Sequence, residues 1–196
     1  MTTYTAYCDF TAQSHNVSAL MSLYAILEGN KNQNVELTPI VVFSAFSIES
    51  YLNSLGSRNL KIWEDIERLP WRTKIEILHK LTDSTPDWGS EPLQFATEVF
   101  KLRDKLAHGK PERILGTPFP DSHSAHAQAI EDKLQPCWYK DITREWAIEA
   151  KPRFLALMIY LAKLFGEHES DHLELATAGV ITDTGHMPNN TIEPTR

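Results

Sequence analysis

At 196 residues with 42% apolar content, the chain is long enough for one domain with its own core and too short to presume two. That composition excludes a disordered chain, and no apolar run approaches the roughly 20 residues of a membrane-spanning helix. A formal charge of −7 speaks against a general nucleic-acid coat, which is normally basic.

The first thirty residues lack the basic start and apolar stretch of a signal peptide. Cys8 and Cys137 are too few for a disulfide framework and lack metal-ligand spacing, as for two thiols in a reducing cytoplasm. A cytoplasmic protein with no membrane association is therefore expected. The charge is uneven. Residues 167–196 carry six acids against Arg196, whereas Lys101 to Arg113 holds five basic residues against Asp104 and Glu112. A phosphate site is compatible with that local excess, with Lys101, Lys105, Lys110 and Arg113 as the candidate RNA- or phosphate-binding residues.

Strand signals are scarce, and helical periods dominate, which places the chain in the all-α class. A first helix is predicted over 12–28, with Val17, Leu20, Tyr24 and Leu27 on one stripe and Gly29-Asn30 ending it. Thr38-Pro39 reads as an N-cap and first-turn pair opening a second helix over 39–55. That helix is apolar or small almost all round, hence central, and Gly56 is expected to stop it. Shorter helices are predicted at 60–69 and 71–81, then a loop over 82–90. Pro92 opens a helix to His108, terminated by Gly109 and Pro111. Residues 111–136 read as an irregular excursion with one short helix. A last long helix spans 143–165, bent at Pro152. The expected division is a helical domain over 1–166 and a loosely ordered acidic tail over 167–196.

Two charges stand out on helical wheels at about 100° per residue. Around Arg103, the residues Ala96, Val99, Phe100, Leu106 and Ala107 fall within roughly 60°. Around Glu49, so do Val42, Ala45, Phe46 and Leu52. Charges are seldom placed on apolar faces unless they are paired or face a site. Opposite in sign, Arg103 and Glu49 are expected to meet, either as a pair fixing helix register or as part of a site. Asp104 and His108 are four apart, so Asp104 is expected to orient the imidazole or hold its proton.

The segment KLRDKLAHGKPE, with Arg103 and His108 five residues apart and Asp104 directly after the arginine, resembles the Arg-x(4–6)-His signature of HEPN domains. The resemblance extends over the helix order of residues 12–165 and to the acidic Glu49 on the second helix. It implies a bundle of four to five main helices with short extra helices, and a homodimer bringing two Arg/His pairs together. For active members it also implies metal-independent endoribonuclease chemistry, with no cofactor. The 2′-OH of RNA is the nucleophile, His108 moves the proton, and Arg103 holds the phosphate with a planar fork, leaving 2′,3′-cyclic phosphate ends. The catalytic candidates are thus Arg103, His108, Asp104 and Glu49. A defence or toxin–antitoxin role, with an antitoxin-like partner protein, follows from the resemblance alone.

Two other readings stand beside it. One is a non-catalytic dimeric interaction or scaffold module, in which Arg103 and Glu49 are structural. The other is a zinc hydrolase, since His168-Glu169-Ser170-Asp171-His172 matches H-E-x-x-H letter for letter. Its inner positions are Ser and Asp, and it follows Gly166, so a solvated acidic turn is the better reading and no metal ligands are expected. No G-x-G-x-x-G, Walker A or G-x-S-x-G element occurs.

Overall fold

The computed structural model describes residues 3–8, 10–30, 35–131, 134–173 and 178–183. Eight α-helices and one short two-stranded ribbon make up the described residues, so the fold is mostly helical as expected. No helix among the described residues is long and apolar enough to cross a membrane.

The centre is α2 (Thr38–Asn59), which packs against α1 (Ala12–Gly29), α3 (Trp63–Ile66), α4 (Trp71–Leu81), α5 (Leu93–His108) and α8 (Arg144–Leu164). Its apolar residues explain the placement: Ile48, Tyr51, Leu52 and Leu55 have no exposed surface. They join Leu20, Tyr24 and Leu27 of α1, Phe95, Val99 and Phe100 of α5, and Phe154, Leu157 and Leu161 of α8 in one core. Each such side chain contributes about 1.5–3 kcal/mol by leaving water. Charged side chains fasten the periphery. Arg153 of α8 donates to Glu91 at 2.6 and 3.0 Å and to Glu98 at 2.9 Å. Glu98 also accepts from the Trp146 indole, so α5 and α8 are joined twice at one carboxylate.

Several boundaries differ from the expectation. α2 continues past Gly56 to Asn59, because Gly56 is a contact point rather than a stop: a Cβ there would run into the Trp63 ring. Thr38 lies inside the first turn of α2, and the Glu36 side chain accepts from its N–H at 3.2 Å. The helix expected over 60–69 shrinks to the single turn of α3. Pro152 lies within α8 at an exposed position, and α8 runs on to Leu164. The excursion after α5 holds α6 (Ser122–Glu131) and the single turn α7 (Cys137–Lys140).

The acidic tail is corrected most. A 3₁₀ turn at Asp171–Leu173 packs on α1 and α8. Beyond it, β2 (Ala178–Asp183) pairs antiparallel with β1 (Thr3–Cys8), from Thr3 opposite Asp183 to Cys8 opposite Ala178. Neither strand was expected, since every residue of β1 is exposed and leaves no buried alternation to read. The tail beyond 183 lies outside the described residues.

Candidate functional site

On α4, Trp71, Lys74, Ile75 and Leu78 follow helical spacing, so the Lys74 side chain is carried into the bundle with its apolar neighbours. It is 1% exposed, and its ammonium donates to Glu49 Oε1 of α2 at 3.2 Å. The other Glu49 oxygen lies 3.9 Å from Arg103 Nη2 of α5. Arg103 Nη1 lies 3.4 Å from Asp104. One carboxylate is thus shared by two cations from two helices, and a second carboxylate flanks the arginine.

The expected Arg103–Glu49 encounter occurs, at the rim of the core. Arg103 is 26% exposed and Glu49 38%. Ala96, Val99 and Phe100 are buried as the wheel predicts, but Leu106 is half-buried and Ala107 exposed, because the last turn of α5 projects beyond the bundle. The guanidinium lies 5.2 Å from the Phe100 ring centroid. Its Nε is buried and has no partner. Both ion pairs exceed ordinary hydrogen-bond length, so most of the donor fork is unspent.

His108 is the last residue of α5 and is exposed. The expectation that Asp104 orients it is corrected: the carboxylate turns to Arg103, the fixed cation beside it, and not to a ring at the outer helix end. Gly109 then leaves the helix in an extended conformation toward Pro111. Lys110 and Arg113 are exposed on the segment that follows.

Lys101 and Lys105, by contrast, flank a groove of about 490 Å³ between α4 and α5, lined also by Trp71, Thr97, Phe100 and Asp104. Trp71 stacks on Phe100 with ring centroids 4.3 Å apart and planes within 5°, and Trp88 meets Trp71 edge-on. A second apolar groove, formed by Glu36, Thr38, Pro39, Val42, Phe43 and Tyr139, runs along the start of α2. Phe46, one turn before Glu49 on that helix, is 47% exposed. Among protein-family models, curated proteins and solved structures, none matches the chain.

The two histidines of the H-E-x-x-H match part company. His168 is exposed and pairs with Ser170 at 2.7 Å, whereas His172 is buried edge-on to Tyr51 and Phe154. They are carried by a tight turn, not by one helical face. Among the described residues, no group of three or more His, Cys, Asp or Glu is placed to hold a metal.

Asp171 is the polar anchor of that turn. Arg58 donates to both of its oxygens at 2.9 and 2.6 Å, and the Tyr51 hydroxyl donates at 2.8 Å. These donors hold its carboxyl below the ordinary carboxylate value, with the Arg58 hydrogen bonds the largest cause. Burial pushes the His172 imidazole below its ordinary value of 6.5, against weaker opposing effects of Glu169 and Asp171. Neither Lys74 nor this anchor was among the expected functional residues. For Lys74 the signal was present: it occupies the apolar face of α4, as Arg103 does on α5.

Proposed function

We propose that this chain is a HEPN-like, metal-independent endoribonuclease that works as a homodimer. The observation carrying this reading is Arg103 itself. It is steered by Glu49 and Asp104 at 3.9 and 3.4 Å, yet makes no hydrogen bond among the described residues, five positions from an exposed histidine. A planar fork held in place but unsaturated suits an incoming phosphate, whose charge grows as the 2′-OH attacks. His108 takes the proton from the hydroxyl, or returns one to the leaving 5′-oxygen, at the open end of α5. Glu49 and Asp104 act through Arg103 and hold its position.

Dimerisation supplies the second Arg/His pair and covers exposed apolar surface. Val42, Phe46 and Glu49 fall on one face of α2, and the first two are the kind of surface a two-fold partner buries. Antitoxin-like partners and a defence setting belong to the same reading.

The deciding experiment incubates EDTA-treated protein with RNA and with the same sequence carrying 2′-deoxyribose at the cut positions. Cleavage of the first, with 2′,3′-cyclic phosphate ends, and survival of the second is the expected result. Equal cutting of both ends the mechanism. No cleavage of any RNA leaves the interaction-module reading, which the Arg103–Asp104 ion pair favours by making the arginine structural. Light scattering at micromolar concentration should give a dimer for the wild type and a monomer for Phe46→Asp.

A further inference from the structure

We propose that the groove between α4 and α5 is a subsite for one unpaired nucleotide of the RNA, packing its base against Trp71 and its flanking phosphates against Lys101 and Lys105. The inference rests on the ribonuclease reading for which strand is bound, and on the groove for how. Trp71, stacked on the buried Phe100, forms the aromatic wall of the groove, and aromatic side chains accept any base because every base has a π-face. Lys101 and Lys105 stand one turn apart on α5 at the same groove, and no carboxylate pairs with either among the described residues. Asp104 is the single acid in the lining, and its charge is taken up by Arg103 at 3.4 Å. The groove is therefore cationic although the chain as a whole is acidic. Asp104 also joins the two places: it lines the groove on one side and contacts the candidate phosphate clamp on the other.

The occupant is thus the nucleotide next to the phosphate on Arg103. A base paired and stacked within a duplex presents no face to the wall, so the subsite selects single-stranded segments for cutting. Wall and lysines are complementary to a base flanked by phosphates, whereas the groove along the start of α2 has no cationic side chain in its lining and includes the acidic Glu36.

The test separates binding from cutting by using a short fluorescein-labelled oligodeoxythymidylate, which keeps bases and phosphates but lacks the 2′-OH. Anisotropy titrations at several salt concentrations should show saturable binding to the wild type. Lys101→Gln/Lys105→Gln should weaken it and lower the slope of log K against log salt by about 1.4, for two phosphate contacts on a single strand. Trp71→Leu should weaken binding roughly tenfold without changing that slope. Thr97→Glu, which adds a carboxylate to the groove at a half-buried position, should abolish binding even if Trp71→Leu folds poorly. Absence of binding by the wild type, or unchanged affinity and slope in the double lysine variant and in Thr97→Glu, overturns the subsite. Binding of this kind by a wild type that cuts no RNA would leave the subsite standing and remove the ribonuclease.

Discussion

Lys74 Nζ lies 3.2 Å from one oxygen of Glu49, and the other oxygen lies 3.9 Å from Arg103 Nη2. The two contacts differ in kind. The first is a hydrogen bond from an ammonium withdrawn from water, for which Glu49 is the partner. The second is a longer, looser attraction to a guanidinium at the rim. Glu49 is therefore fixed by Lys74 and in turn steers Arg103, which ties the buried side of α4 to the exposed end of α5.

Removing Glu49 should cost more than removing Lys74. Glu49→Ala strands a buried cation and is expected to lower stability by about 3 kcal/mol, or roughly 6–12 °C in melting temperature. Lys74→Met replaces the cation by an apolar chain of similar shape and should cost less. The double variant Glu49→Ala/Lys74→Met should recover most of the loss. Thermal unfolding of the three proteins checks this, and an unchanged melting temperature for Glu49→Ala would contradict it.

For the proposed reaction, His108→Ala is expected to reduce RNA cleavage roughly 10²- to 10⁴-fold, the usual effect of losing a positioned proton-transfer group. The ring is exposed, so the far-ultraviolet circular dichroism should not change. Arg103→Lys should fail to restore activity, since a point charge cannot reproduce a planar fork. Rates near the wild-type value in either variant would count against the assigned roles.

Stability should fall in acid in two stages. His172 and His79 both have imidazoles depressed by burial, so below about pH 6.5 the unfolded chain takes up protons that the folded chain refuses. Their contribution is complete above that pH and declines below it. Asp171 is depressed as well, and its contribution is complete above its ordinary value of 3.8 and is lost as pH falls through the lower folded value. Arg58, Tyr51 and Glu167 are the other ionisable groups acting on that carboxylate and its partners. Denaturant titrations between pH 7.5 and 5 should show the first decline. His172→Phe should blunt it and add about 1 kcal/mol at pH 7, since both ring nitrogens are buried without partners.

Gly56→Ala should destabilise the protein by about 1–3 kcal/mol. The added Cβ meets the Trp63 ring inside the core, where the aromatic has little room to retreat. A melting curve matching the wild type would show that Trp63 moves at little cost.

The helices were legible because their apolar stripes are periodic and their ends are marked: α1, α4, α5 and α8 lie within one or two residues of expectation. Arg103 and Glu49 were legible as a pair because both interrupt such stripes. What the pattern cannot carry is depth and partner. Lys74 sits on an apolar face in the same way, but only the packing of α4 on α2 makes it the most buried charge among the described residues and the first partner of Glu49. Asp104 could serve either His108 or Arg103 by spacing, and the projecting end of α5 decides for Arg103. Asp171 read as one acid in an acidic tail, because its donors Arg58 and Tyr51 are more than 110 residues away.

The ribbon of β1 and β2 has a kinetic consequence. Thr3 faces Asp183 across a pairing that encloses nearly the whole chain, and Tyr4, Tyr7, Val180 and Ile181 all stay exposed. Among the described contacts such a pairing has the largest loop-closure entropy, and little burial offsets it. It should zip only after the bundle has assembled and brought its two segments within reach. For the same reason its amides should exchange with solvent long before those of α2, so the two ends of the fold open and reclose while the Arg103 site stays intact.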